Sequence, residues 1–523
     1  MVIVYPGNEP MPLIPSLANE QLSRNVTDLV YERLAEIGMK MNTIGDAGFT
    51  PRLAKSWTWS RDSMSIAFSI DPRARWHDGQ PVRASDVVYT FGVNKDPKTG
   101  SLITSVITNI DSVTARDSLT AVAWFHRRTP EQFYDIAYQN FIIPEHVFRN
   151  IPHDKLGTSD AVKHPIGSGQ FRFVRWEPGV RVELIADTAH YRGRPKLDRI
   201  IISLVTDVPT SITQLLTGQA DFVDVVPPDL IPRIDSSGQA ELFKYPGNAF
   251  AYMGLQTRDP KRPGQPHPIF GDRMVRRAIS MALDRQAMLR NVFDTLGTLG
   301  SGPFTRPFAD TTITLLPFDR AHAAALLDSA GWRVGADGIR SKNGRPLAFS
   351  VLVPISSAPR QRYAVLIQEQ LKGVGARVNV ESADFSNFVA RMDTRNFDAI
   401  INAGGADPSP SGIKQNWTSE SLARGGQNYT NYSNPLFDAL VDSASRTLDP
   451  ERARGYYHRA YQTIVDDAPA VWLYDILSVG GKHKRIRPVG IRADTWWANL
   501  PEWWIPANER IDRDRIGLRA PQP

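Results

Sequence analysis

Leu347-Ala-Phe-Ser-Val-Leu-Val353 is an apolar, β-branched run, and a helical stretch at 359–372 follows it, closed by Gly373. The order then repeats. Arg377-Val-Asn-Val-Glu381 reads as a strand, Phe385-Ser-Asn-Phe-Val-Ala-Arg-Met392 as a helix and Phe397-Asp-Ala-Ile-Ile-Asn402 as a strand again. A strand returns parallel to its predecessor only through a crossover, and a helix is the usual one. The alternation therefore predicts an α/β lobe with a partly parallel sheet.

The same grammar extends in both directions. Helices are predicted at 435–446 and 450–466, then a strand at Val471–Leu477. Upstream, Asp319 caps a short helix that ends at Gly331, and 272–293 carries Met274, Val275, Ile279, Ala282, Leu283, Met288 and Leu289 on one side. In the first half, 26–37 has helical apolar spacing with Asn25 as its cap. Residues 63–70 alternate as a half-buried strand, and Ser85 caps a helix opening at Asp86–Phe91. Strands follow at 170–175, 180–186 and 200–205, and a helix at 209–217 stops at Gly218.

Length and composition bound the rest. The 523 residues suggest about three domains, and 41% hydrophobic with 22% charged is globular. No run of about 18 apolar residues occurs, which excludes a membrane-spanning helix. Met1 leads straight into Val2-Ile3-Val4-Tyr5-Pro6 with no basic start, so the chain is read as cytosolic or as a mature form. Absence of cysteine removes disulfides, thiolate catalysis and cysteine-based metal sites. The net charge of +6 is a weak field over so large a surface. The densest basic run, Lys482-His483-Lys484-Arg485-Ile486-Arg487, has no interleaved aromatics and reads as a solvated loop, so nucleic acid is not an expected partner.

Catalytic patterns fail on context. Ser411-Gly-Ile-Lys414, Tyr429-Thr-Asn431 and Lys98-Thr-Gly100 imitate the elements of penicillin-recognising serine enzymes. Ser411, however, lies in a Pro-rich turn, and the Lys-Thr-Gly element comes first in the chain. A serine hydrolase built on Ser411 is the distant alternative. No His pair has metal-binding spacing, and His77 in Trp76-His77-Asp78-Gly79 reads as a turn residue. Gly167-Ser168-Gly169 lacks the lysine of a phosphate loop. No metal and no cofactor is expected, and binding is favoured over catalysis. Loop aromatics, namely Trp417, Tyr429, Tyr432, Trp496, Trp497, Trp503 and Trp504, suit the wall of an organic-ligand pocket, though core filling explains the 496–504 group better and Trp417 equally well.

Seven blocks in order resemble the family 5 (peptide/nickel-type) solute-binding proteins of ABC importers. They are Pro51-Arg-Leu-Ala-Lys-Ser-Trp57, Trp76 to Phe91, Pro165-Ile-Gly-Ser-Gly-Gln-Phe171, Tyr191 to Asp198, Leu216 to Asp221, Val275 to Arg285 and Ala325 to Gly331. The resemblance implies a type II periplasmic-binding-protein fold (cluster C): two hinged α/β lobes plus an extra inserted domain. Lobe I would comprise 1–49, 164–247 and 478–523, lobe II the insertion 50–163, and lobe III 248–477. The lobes would close like jaws on a ligand between them. The implied function is that of a periplasmic or extracytoplasmic, monomeric receptor, any anchor lying in a removed N-terminal segment. It would capture an oligopeptide-like ligand for a permease and ATPase pair, with an oligosaccharide receptor as the alternative.

The site residues come from the same resemblance. Asp407 occupies the position whose carboxylate receives the α-ammonium of a peptide, a charge-assisted bond worth roughly 1.5–3 kcal/mol. Trp417, Tyr429 and Tyr432 would pack on the ligand from lobe III, and Tyr252 is counted with them. Asn19 and Glu20 would line the cleft from lobe I, where an extended segment could pair with a peptide backbone. Gly404 replaces a tryptophan common in the family. The arginine that clamps dipeptide carboxylates is absent after strand 347–353, where Pro354-Ile-Ser-Ser stands before Arg360.

Overall fold

The computed structural model describes residues 1–6, 12–104, 106–205, 207–303, 312–405, 409, 412–422 and 426–515. The chain forms two compact units, 1–245 with 478–523 and 246–477. Two long strands, Ala240–Leu255 and Ala470–His483, carry the chain from one unit to the other and back.

In the first unit, strand Val2–Pro6 is the centre of a parallel core. It pairs parallel with Arg199–Val205 (Val4 opposite Ser203) and parallel with Phe222–Val223 (Ile3 opposite Phe222). Helix Val208–Leu216 makes the crossover between the two flanking strands, and Gly218 adopts φ +74° just after it, a left-handed position that glycine takes without a Cβ penalty. Val4, Ile212, Leu215, Val223 and Ile234 form the packing beneath. Antiparallel strands Arg181–Ala186 and Phe171–Glu177 extend one edge, and Gly481–Lys482 pairs antiparallel at the other. A separate four-stranded antiparallel sheet runs Ala54–Trp59, Ser65–Ile70, Thr120–Phe125, Ile110–Asp117, with helix Ala84–Lys95 against it.

The turn at Gly167-Ser-Gly169 is fixed by closeness. A Cβ on Gly167 would lie 1.9 Å from the Val30 carbonyl oxygen, and the Gly169 N–H donates to that oxygen at 2.8 Å. His77 latches the same turn: Nε2 bonds the Gly169 carbonyl at 2.8 Å and Nδ1 accepts the Gly167 N–H at 3.3 Å. Burial depresses its pKa to about 4.

In the second unit, Ala348–Pro354 lies between Arg377–Ala383 and Ala399–Gly405, parallel to both. Residues 249–255 pair antiparallel with Ala399–Gly405, with Tyr252 opposite Asn402. Val351, Val353, Ala399 and Ile401 face one core with Ile279, Leu283, Ile367 and Leu371. Leu352 and Ile400 face Phe388 and Phe397 on the other side. Coverage of both faces explains why these strands read as continuous apolar runs.

Several expectations need correction. The helix expected at 26–37 spans Gln21–Val30, with Glu20 at its N-cap position. Asn25 lies inside it, and Tyr31 turns extended so that Glu32 can reach Arg192 at 2.7 Å. The amphipathic stretch 272–293 is two helices, Arg273–Met281 and Arg285–Phe293. Asp284 breaks it by capping the second, accepting the Ala287 N–H at 2.9 Å. Ser85 does not cap its helix. Asp86 in the first turn reaches back to the Arg83 N–H at 2.8 Å. Gly373 keeps φ −63°, and Gly375 supplies the left-handed residue there. The basic run is no solvated loop: Lys482 and Arg485 are buried, and Arg485 bonds Asp221 at 2.5 Å while Arg487 bonds Glu509 at 2.7 Å. The core-filling reading of the 496–504 group holds for Trp496, Trp497 and Trp503, which are buried and packed with Phe222 and Phe243.

Candidate functional site

In open parallel sheets, ligands lie beyond the carboxyl ends of the strands where successive crossovers leave a central strand in opposite directions. Each unit has one such point. In the second unit the chain passes from Ala348–Pro354 to a neighbour on one side, then crosses to Ala399–Gly405 on the other. In the first, Arg199–Val205 and Phe222–Val223 flank Val2–Pro6 in the same way.

At the second unit's point, register places Tyr252 against Asn402, whose Nδ2 donates to the Tyr252 hydroxyl at 3.2 Å. Burial pushes the Tyr252 pKa up to about 12, with the nearby Tyr429 hydroxyl adding to it. The Tyr252 ring meets Trp417 edge-on at 5.4 Å, and Trp417 meets Trp472 at 5.1 Å. Both indoles are buried, and neither Nε1 has a hydrogen-bond partner among the described residues. Two buried donors of this kind carry a desolvation cost that no hydrogen bond among the described residues offsets. Asn428 fixes the surrounding loop, donating to the carbonyls of Trp417 at 3.2 Å, Thr418 at 3.0 Å and Tyr432 at 2.8 Å.

The expected residues are thus distributed unevenly. Tyr252 and Trp417 are in ring contact, and Tyr429 lies near Tyr252. Tyr432 is turned elsewhere: its hydroxyl donates to Asp467 at 2.8 Å. Asp407 and Ser411 lie outside the described residues. Lys414 is bound by Glu420 at 2.9 Å and Asp442 at 3.2 Å. Burial alone would lower its pKa, but those two bonds raise it, the reverse of what a general base needs.

At the first unit's point, Asn19 and Glu20 are exposed just ahead of helix Gln21–Val30. A polar chain runs from that helix to the strand ends. Gln21 Nε2 donates to Asn25 at 2.9 Å, Asn25 Nδ2 donates to the Tyr5 hydroxyl, and Tyr5 is hydrogen-bonded to Asp224. Tyr245 bonds Ser478 close by. Burial raises the Asp224 pKa to about 6, more than the bonds from Tyr5 and the Asp224 and Val225 backbone can offset. Asp224, Asn402 and Trp472 were not anticipated. The position of Asp224 directly after the apolar pair Phe222-Val223 was a usable signal; the other two depend on strand register.

Among the described residues there is no group of three acidic or histidine side chains able to hold a metal ion, and no helix is long and apolar enough to cross a membrane.

The family model of the bacterial extracellular solute-binding proteins, family 5 (middle region), matches residues 48–423. The oligopeptide-binding protein AppA of Bacillus subtilis is 24% identical over 496 residues, 93% of this chain and 88% of that one. The structure of that AppA in complex with a nonapeptide superposes with a TM-score of 0.73 at 23% identity, covering 97% of this chain and 98% of the other. NikZ of Campylobacter jejuni in complex with Ni(L-His) superposes with a TM-score of 0.75 at 21% identity, covering 96% and 99%. At these identities the likeness establishes the fold, that of the periplasmic binding proteins.

Proposed function

This chain belongs to the bacterial extracellular solute-binding proteins of family 5, and on that premise we propose that it captures an oligopeptide-like ligand outside the cytoplasm and delivers it to a permease driven by ATPase subunits. It does so as a receptor and not as an enzyme. The observation that carries the proposal is the carboxyl edge of the parallel strands in the second unit. There Tyr252, Asn402, Trp417 and Tyr429 gather beside the strand Ala399–Gly405, which leads directly to Asp407. The likeness to AppA, an oligopeptide-binding protein, supports peptide as the cargo.

In this proposal Asp407 receives the ligand's α-ammonium, since a cation withdrawn from water needs a counter-charge. Trp417, Tyr429 and Tyr252 supply the apolar wall, with Tyr432 bracing it through Asp467. Asn19 and Glu20 meet the peptide backbone from lobe I, beside the Asp224 carboxyl. Lobe I comprises 1–49, 164–247 and 478–523, lobe II 50–163 and lobe III 248–477. The self-contained antiparallel sheet between Ala54 and Phe125 supports lobe II as an insertion. Titration calorimetry with free and N-acetylated peptides tests the proposal. Free peptide should bind well and the acetylated form poorly; equal affinity for both removes the ammonium contact.

A further inference from the structure

A pocket of about 180 Å³ lies in the first unit, away from the strand ends described above. Its lining is ionic: Arg33, Arg52, Arg192 and Arg492 against Asp28, Glu32, Glu36 and Glu502. The numbers match, but the contacts do not. Glu32 is taken by Arg192 at 2.7 and 3.0 Å and by the Tyr191 hydroxyl at 3.3 Å. Glu36 is taken by Arg492 at 2.5 Å and Arg33 at 3.5 Å. Glu502 pairs with Lys196 at 3.1 Å. Asp28 accepts the Trp497 indole N–H at 3.0 Å, and burial raises its pKa, favouring the neutral acid.

Arg52 is left over. Among the described residues its side chain makes one hydrogen bond, a 3.4 Å contact to the carbonyl of Pro51, and has no carboxylate within ion-pairing distance. Its strongest charged neighbour is Arg192, a like charge, while Glu36 and Glu32, both already paired, attract it from beyond ion-pairing distance. Arg33 adds a second unmet donor. Its guanidinium is held over the rings of Tyr138 at 3.8 Å and Phe141 at 4.0 Å, and its Nε is buried without a partner. A half-enclosed guanidinium beside another cation is costly unless a counter-charge joins it. Space is not limiting, because one water needs only about 10–15 Å³.

We propose that this pocket binds a small oxyanion, a carboxylate or phosphate group, with the Arg52 guanidinium as its main ligand. The planar fork of arginine matches either group through two parallel N–H bonds. The site is independent of peptide capture, since none of its lining residues belongs to the edges assigned to the peptide.

Titration calorimetry on the whole chain, in a buffer free of oxyanions, tests this with inorganic phosphate and with succinate as separate titrants. One saturable site per chain is expected for at least one of them, and which one binds identifies the group. Arg52→Gln should weaken that binding at least tenfold. Without anion, Arg52→Gln should melt close to wild type, because the lost repulsion from Arg192 offsets the lost attraction from Glu36 and Glu32. With anion, only wild type should gain melting temperature. If Arg52→Gln does not fold, Arg52→Lys serves in its place: it keeps the charge but loses the fork, and should bind several-fold more weakly. No saturable binding of either titrant to wild type, or binding unchanged by loss of the guanidinium, would overturn the proposal.

Discussion

Asp224→Asn is expected to stabilise the protein at neutral and alkaline pH. The carboxyl of Asp224 titrates near 6 in the fold, against about 3.8 in an open chain, because burial disfavours its charge. Above pH 6 both states are ionised and the native state bears the whole penalty. Between about 6 and 4 the native state holds a proton that the unfolded chain lacks, so stability rises as pH falls; below about 4 the difference has vanished. The gap sets an upper bound of roughly 3 kcal/mol, and partial exposure of the residue trims it to about 2 kcal/mol. Asparagine keeps an oxygen for the Tyr5 hydroxyl while removing the charge. Urea unfolding followed by circular dichroism should therefore show a gain of about 2 kcal/mol at pH 8 and almost none at pH 4. No gain at pH 8, or an equal gain at both pH values, would refute the assignment of a buried, charge-starved carboxyl.

Other substitutions probe the same framework. His77 has the opposite sign: its pKa lies near 4 in the fold, below the ordinary 6.5, so the stability it confers is present above pH 6.5 and lost as pH falls towards 4. Acidification should thus destabilise Asp224→Asn more steeply than wild type, and adding His77→Gln should flatten the profile again. Tyr252→Phe strands the Asn402 amide and should cost about 1 kcal/mol of stability, read from the same unfolding curves. Ligand-induced change in tryptophan fluorescence should be lost in Trp417→Phe; a full signal in that variant places the ligand elsewhere. Asp407→Asn should weaken peptide about ten- to a hundredfold while leaving the melting temperature of the empty protein nearly unchanged.

Much of this molecule was legible because parallel strands buried on both faces write themselves as apolar runs. Ala348–Pro354 and Ala399–Gly405 fall within two or three residues of the strands expected there. Helix ends were harder. Val26, Leu29, Val30, Leu34 and Ile37 satisfy a helical period and are all buried, but the last two are held by extended chain after Tyr31. Local spacing cannot register that Glu32 is drawn out to an arginine 160 residues later. The aromatic residues divide on the same principle. Trp417 and Tyr252 share a cluster, whereas Tyr432 spends its hydroxyl on Asp467, a partner 35 residues on that no pattern announces. Asn402 and Trp472 gain meaning only from strand register. Arg52 resembles any surface arginine until the carboxylates around it are seen to be occupied.

Native mass spectrometry of the freshly purified protein tests the central claim most directly, because receptors of high affinity retain their cargo. The expected spectrum shows the chain carrying a ladder of masses that resolve, on collisional release, into short peptides with free amino termini. Adducts spaced by hexose units, or a chain that stays bare and takes up no added peptide, would contradict peptide capture.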